Sequence, residues 1–399
     1  MSNNLLADRI NALEESATLA MSKKSRELAA QGHKVINLSV GEPDFKTPPH
    51  ICEAAKKAID DGFHAYTPVA GIPELRTAIA EKLQRENKLD WKAENVLVST
   101  GAKHSLANII EVLVKKGEEV IILGPYWVSY AEMVKLAEGK SVIVDGAFEN
   151  DFKVTPEQLE AAITDKTKIV MYASPNNPTG SVYSEKELRA FAAIIAKHPN
   201  IFVLADEIYE YINFTKEGHF SIGSVPEIKD RVITVNGFSK GFAMTGWRVG
   251  FIAAAKWIVD AVDKLQGQVT SGTNSIAQKA AAVAFTNMDA PKMMLEAYHR
   301  RRDLVIGKLK EVPGFKVRIP DGAFYAFPDV SYYFGKSDGT TTIKNADELS
   351  LWLLEKAHVA TVTGNAFGAP NCIRLSTATS DEKLVEAIDR IKAAVITLK

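Results

Sequence analysis

With 399 residues and a formal net charge of −1, the chain is long enough for about two hydrophobic cores. It is too near neutral, and too free of Lys/Arg-rich runs, to point to nucleic acid or an anionic membrane as a partner. Its 46% hydrophobic and 24% charged residues are those of a soluble globular protein, and no apolar run approaches the roughly 20 residues a membrane span needs.

Cys52 and Cys372 stand in no metal-ligand or disulfide spacing, so they read as free thiols, and no metal is expected. Asp8, Arg9, Glu14 and Glu15 interrupt any signal-peptide apolar stretch; the expected location is cytoplasmic. In chain order the first regular element is a helix over 20–31. Short β-branched runs then alternate with longer helical patterns. Strands are expected over 95–99, 119–123, 168–173, 201–205, 231–235 and 250–254, with helices such as 105–113 and 184–196 between them. Continuous apolar strands separated by helices imply a largely parallel sheet sandwiched by helices, an α/β fold. Towards residue 300 the pattern changes. A charged helix over 297–309 leads to short strands near 315–318 and 323–327, a helix over 346–356, a strand over 372–376 and an amphipathic helix over 381–397. This reads as a smaller α+β domain. The expected division is a large domain over 46–295 and a small one built from 1–45 and 296–399.

In open α/β sheets ligands gather beyond the carboxyl ends of the strands, so the residues after each strand carry the functional reading. After 95–99 come Gly101, Ala102 and Lys103, opening a helix. Small residues there expose amides that suit a phosphate, although most such turns are only turns. After 168–173 comes Ser-Pro-Asn-Asn-Pro-Thr-Gly over 174–180, a rigid turn in which Asn177 is either a cap or a ligand group. After 201–205 come Asp206, Glu207 and Tyr209; a carboxylate there is a helix N-cap or a functional anion. After 231–235 come Ser239, Lys240 and, eight residues beyond the lysine, Arg248. A lone lysine is usually a solvated charge; small and aromatic neighbours at a sheet's ligand edge favour a functional one.

Together these turns match one chemistry. A pyridoxal-phosphate site needs an amine for a Schiff base and a carboxylate to keep the pyridine nitrogen protonated. It also needs donors to the phenolate oxygen and a phosphate cradle. Lys240, Asp206, Tyr209 with Asn177, and Gly101, Ala102 and Lys103 with Ser239 and Arg248 can supply them.

At this point the sequence resembles the class I aminotransferases of fold type I. Gly41-Glu42-Pro43, Tyr66-Thr67-Pro68, Pro125-Tyr126-Trp127, 174–180, 206–209, Ser239-Lys240 and 372–377 fall in family order over nearly the whole chain. It is most similar to the bacterial aspartate aminotransferases that read Ala-Met-Thr-Gly-Trp-Arg after the lysine. The resemblance implies a seven-stranded sheet and pyridoxal 5'-phosphate as cofactor. Lys240 would form the Schiff base and shuttle the proton at Cα, Asp206 would pair with the pyridinium, and Tyr209 and Asn177 would bond the phenolate. Trp127 would stack on the ring, and Arg248 and Ser239 would hold the phosphate. Tyr66 would reach the phosphate of a second subunit, making the enzyme a homodimer with shared sites. Arg374 would clamp the substrate α-carboxylate with Asn177, Trp127 and the Gly41 backbone.

Two departures matter. Gly237 stands where some relatives carry a phosphate-binding hydroxyl. The stretch 266–278, which in animal and enteric aspartate enzymes supplies an arginine for the distal carboxylate, has none here. Lys103 is the candidate for that role; otherwise it only adds charge near the phosphate. Prephenate-using relatives carry a basic residue near the N-terminus, and the matching position here is Glu14, which speaks against prephenate. The expected reaction is transfer of the amino group of L-aspartate to 2-oxoglutarate by a ping-pong route. The rivals are an aromatic or alanine aminotransferase, a carbon–sulfur β-lyase, and a non-catalytic cofactor-binding module; the last would need a DNA-binding segment before Gly41.

Overall fold

Apolar runs without polar interruption form the middle of the fold, because both of their faces are covered. The computed structural model describes residues 5–399. In chain order its strands are β1 (Ile36–Asn37), β2 (Val96–Ser99), β3 (Glu119–Gly124), β4 (Lys140–Asp145), β5 (Thr167–Ala173), β6 (Phe202–Asp206), β7 (Val232–Gly237), β8 (Gly250–Ala253), β9 (Tyr325–Ala326), β10 (Val359–Ala360), β11 (Val362–Thr363) and β12 (Ile373–Ser376).

Seven of them make one sheet in the order β2-β8-β7-β6-β5-β3-β4. Only β8 runs against its neighbours, β2 and β7. The sheet is therefore largely parallel, as expected, and the fold is α/β. β3, β6, β7 and β8 are buried along their whole lengths. The edge strand β4 is not among the strands expected from sequence. Its residues are exposed or half-buried, although it carries the β-branched run Val142-Ile143-Val144.

Helices on the sheet begin where the local chemistry says they should. Helix Glu185–Ala196 opens on a capping box: Ser184 Oγ accepts from the Glu187 amide, and the Glu187 carboxylate accepts from the Ser184 amide at 2.8 Å. Leu188, Phe191, Ala192 and Ile195 then face the sheet. Helix Asp289–Leu309 starts eight residues before the expected 297, because Pro291 falls in its first turn, where no intrahelical N–H is needed.

A second core lies under the remaining short strands. β1 pairs with β10, and β11-β12-β9 form an antiparallel sheet. Leu309, Leu349, Leu353, Ile373, Ile388 and Ile391 pack there, each contributing roughly 1.5–3 kcal/mol by leaving water. The strand expected near 315–318 is reduced to one bridge, Lys316 to Asp329; Pro313 and Pro320 flank it and cannot donate to a ladder. The one expected over 323–327 shortens to β9.

A third cluster ties the two cores together. Tyr209 and Ile212, beyond β6, pack on Met294, Tyr298, Phe324 and Tyr325. The Arg301 fork on Asp44, at 2.8 and 2.9 Å, adds a bidentate bond beside it. This packing presses β9 and β12 against the carboxyl ends of the large sheet's parallel strands.

Candidate active site

Because the parallel strands point the same way, the turns after β2, β3, β5, β6 and β7 lie along one edge of the sheet. They line a cavity of about 500 Å³ with Val40, Gly41 and Glu42 on one side and Tyr325 and Arg374 on another. Of the residues singled out from sequence, Ala102, Lys103, Trp127, Asn177, Asp206, Tyr209, Ser239, Lys240, Arg248, Gly41 and Arg374 all line it. Gly101 sits directly behind the lining as the N-cap of helix Ala102–Leu113, with φ +84°. A Cβ built there would lie 2.5 Å from Arg248 Nη2. No side chain fits between those helix-opening amides and the guanidinium. Tyr66 stands apart: its side chain is 96% exposed and outside the cavity.

Lys240 follows β7 by three residues. Its Nζ donates to the Gly41 carbonyl at 2.5 Å. Burial, with Arg374 and Arg248 nearby, lowers its pKa to about 8 against the opposing pull of Glu42 and Asp206. Asp206 ends β6 and is 4% exposed. No helix follows it, so it is not an N-cap; Oδ1 accepts from the Ile208 amide at 3.2 Å. Oδ2 accepts from Tyr130 at 2.7 Å. Burial raises this carboxyl to about 6 although both hydrogen bonds oppose it.

The turn after β5 is held by Asn176, not Asn177. Asn176 Nδ2 donates to the Pro125 carbonyl at 3.1 Å, and Oδ1 accepts from Thr179. Asn177 is thereby free to face β12, where its Oδ1 accepts from Arg374 Nη1 at 2.8 Å. Arg374 Nη2 donates to the Ser39 carbonyl at 2.7 Å, and Nε has no hydrogen-bond partner. The guanidinium is 2% exposed, stacked 4.5 Å from the Tyr325 ring and 4.8 Å from Phe367, and among the described residues no carboxylate pairs with it. Lys103 Nζ stands 4.8 Å over the Trp127 ring; burial and the neighbouring Arg248 charge lower its pKa.

The lining carries four cations, Lys103, Lys240, Arg248 and Arg374, against the two acids Glu42 and Asp206. That excess suits a ligand set with several negative charges. Two residues that belong to the site escaped the sequence reading. Tyr130 sits three residues past Trp127 on a short helix, a spacing that places it on the same side of that turn. Tyr325 carries no local signal, since its partners are Tyr209 and Arg374, distant in the chain.

The family profile described as aminotransferase class I and II matches residues 33–391. The chain belongs to that family. This aminotransferase is 44% identical over 392 residues to the aspartate aminotransferase of Bacillus subtilis, covering 98% of each chain. It is 42% identical over 391 residues to the aspartate/prephenate aminotransferase of Nitrosomonas europaea, covering 97% of this chain and 98% of that one. The solved aspartate aminotransferase of Rhizobium meliloti superposes with a TM-score of 0.96 at 40% identity over 99% of each chain. The aminotransferase has, among the described residues, no helix long and apolar enough to cross a membrane.

Proposed function

We propose that this aminotransferase moves the amino group of L-aspartate to 2-oxoglutarate, giving oxaloacetate and L-glutamate, with pyridoxal 5'-phosphate held on Lys240. One observation carries the reading. Two buried charges of opposite sign, Asp206 and Arg374, line one cavity with Lys240 and have no ionic partner among the described residues. Buried charges are costly unless paired, and a ligand carrying a pyridinium and a carboxylate satisfies both.

The residues fit the cofactor. Gly101, Ala102 and Lys103 with Arg248 and Ser239 make a cradle for its phosphate in which the guanidinium packs directly against the Cβ-free Gly101. Asp206 meets the pyridinium, and Trp127 stacks on the ring. Asn177 has given its oxygen to Arg374, so its Nδ2 is left to donate to the phenolate beside Tyr209. When bound, the cofactor supplies a carbonyl that condenses with amines and a ring that takes up the electron pair left at Cα. Arg374 grips the α-carboxylate in a fork and orients the Cα–H towards Lys240. Once the substrate's amine has displaced it, Lys240 Nζ would be free to take the proton from Cα and carry it; the depressed pKa keeps a neutral amine available for that.

Lys103, at the cavity wall beside Trp127, takes the distal carboxylate. We also read the enzyme as a cytoplasmic homodimer in which the exposed Tyr66 completes the phosphate site of a second copy. In this reading 46–295 holds the cofactor, and 1–45 with 296–399 carries the carboxylate clamp. Hydride reduction of the loaded enzyme followed by peptide mapping should place the cofactor on Lys240. A panel of amino donors with 2-oxoglutarate should show aspartate strongly preferred. Equal rates with phenylalanine or alanine would replace aspartate by a broad donor range. Pyruvate and ammonia from cystathionine without a keto acid would make it a lyase. Prephenate belongs in the same panel, and Glu14 leads us to expect little turnover.

A further inference from the structure

The hydroxyls of Tyr209 and Tyr325 lie 2.6 Å apart, and either can donate in that bond. Both phenols are buried, at 3% and 1% exposure, so neither has water as an alternative. Tyr209 follows β6 of the large sheet. Tyr325 is on β9, paired with Ser376 on β12, two residues from Arg374. Its ring lies under the Arg374 guanidinium, and its oxygen stands so close to Gly41 that a Cβ there would lie 2.5 Å away.

A phenol has one proton to give. If Tyr209 spends its proton on Tyr325, it has none to aim into the cavity. If Tyr325 is the donor, the Tyr209 proton is free for an acceptor beside Lys240. The electrostatics favour the second arrangement. Burial pushes both phenols up and the Arg374 charge opposes the push at both, but the guanidinium stands 4.5 Å over the Tyr325 ring, whereas the Asp206 charge adds to the push at Tyr209 and holds it well above the ordinary phenol range. The more acidic hydroxyl donates to the less acidic one. We propose that Tyr325 is a positioning residue: its hydroxyl donates to the Tyr209 oxygen and turns the Tyr209 O–H towards the cofactor's phenolate.

The inference rests on the cofactor reading above and adds to it a residue with no direct role in holding the cofactor. Hydrogen bonds in such a chain strengthen one another, so Tyr209 donates more strongly with Tyr325 behind it than alone. A stronger bond to the phenolate favours the deprotonated Schiff base.

The test is a spectrophotometric pH titration of the loaded enzyme without substrate, on wild type, Tyr325→Phe, Tyr209→Phe and the double variant. Tyr325→Phe keeps the ring and its packing. It should raise the titration midpoint by about half a unit to one unit, the size of one net hydrogen bond. In the Tyr209→Phe background the same change should move the midpoint little, because Tyr325 acts through Tyr209. Equal midpoints for wild type and Tyr325→Phe, or equal shifts in both backgrounds, would overturn the proposal. If wild type shows no titrating band at all, the cofactor reading fails instead, so the two failures are distinguishable.

Discussion

Arg374 Nη1 donates to Asn177 Oδ1 across 2.8 Å and 197 positions of sequence, joining the small antiparallel sheet to the turn after β5. The bond leaves a buried guanidinium oriented but not neutralised. Truncating a buried, hydrogen-bonded charge that meets an opposite one costs roughly 2–5 kcal/mol. Arg374→Ala should therefore lower kcat/KM for aspartate by about 30-fold to several thousand-fold. Arg374→Lys keeps the charge and loses the fork, so it should recover only part of the loss. Steady-state kinetics on the two variants provide the check, and a loss below tenfold for Arg374→Ala would remove the arginine from the carboxylate site.

Lys103 separates two roles that predict different kinetics. If it meets the distal carboxylate, Lys103→Ala should reduce kcat/KM for aspartate by about 10- to 100-fold, the scale of a hydrogen bond to a charged group. Alanine as donor should then be nearly unaffected. A cation serving only the phosphate would give equal losses for both donors and weaker cofactor retention. The ratio of the two donors' kcat/KM values is the deciding measurement.

The lowered pKa of Lys240, caused first by burial, sets a pH dependence. Only the neutral amine attacks a carbonyl. Capture of pyridoxal phosphate by the apoenzyme should speed up as pH rises, with a midpoint near 8 and not near the ordinary lysine value of 10.5. Stopped-flow absorbance across that range measures it. The stability contribution has the same sign: between about 8 and 10.5 the unfolded chain binds the proton and the folded chain does not, so this group's contribution rises with pH in that window.

Behind Asp206 lies a buried polar network. Lys82 Nζ donates to Glu210 Oε1 and, at 2.7 Å, to Asn87 Oδ1. Glu207 accepts from Ser221 at 2.7 Å, with His219 Nε2 3.0 Å away. Lys82→Ala should cost roughly 3–5 kcal/mol, because it strands a buried carboxylate. The drop should show as a lower urea midpoint of the apoenzyme.

The same network should bend the pH–stability curve. Burial alone would lower the His219 pKa, but the Glu207 and Glu210 charges overcome it and hold it above 6.5. That stabilisation is complete below 6.5 and is lost as pH rises through the folded value. Burial also opposes ionisation of Glu210, yet Lys82 and His219 hold its pKa below 4.5; its contribution is present above 4.5 and lost as pH falls through the folded value. His219→Gln should flatten the neutral-to-alkaline limb and weaken the acid limb without abolishing it, because Lys82 still faces Glu210, as read from urea midpoints against pH.

Chemistry was legible in the sequence wherever it follows a strand directly. Asp206 closes its strand and Lys240 and Asn177 stand three and four residues past theirs, and the parallel order implied by the alternation of strands and helices puts all such turns on one edge. The edge strand β4 was not among the expected strands although Val142-Ile143-Val144 is a β-branched run; its place at the half-exposed sheet edge emerges only from the fold. Nor was Tyr325 legible, since its neighbours give it no distinguishing context and its partners, Tyr209 and Arg374, come from other elements. That Asn176 and not Asn177 holds the turn after β5 also emerges only from the fold. The sequence by itself determined the α/β class and the set of groups at the sheet's carboxyl edge, because strand period and turn chemistry are local. Only the tertiary structure decided that Arg374 is buried without a counter-charge and that Tyr325 backs Tyr209. Both depend on how the small sheet packs across Tyr209, Met294 and Tyr298, a contact between segments that no local pattern encodes.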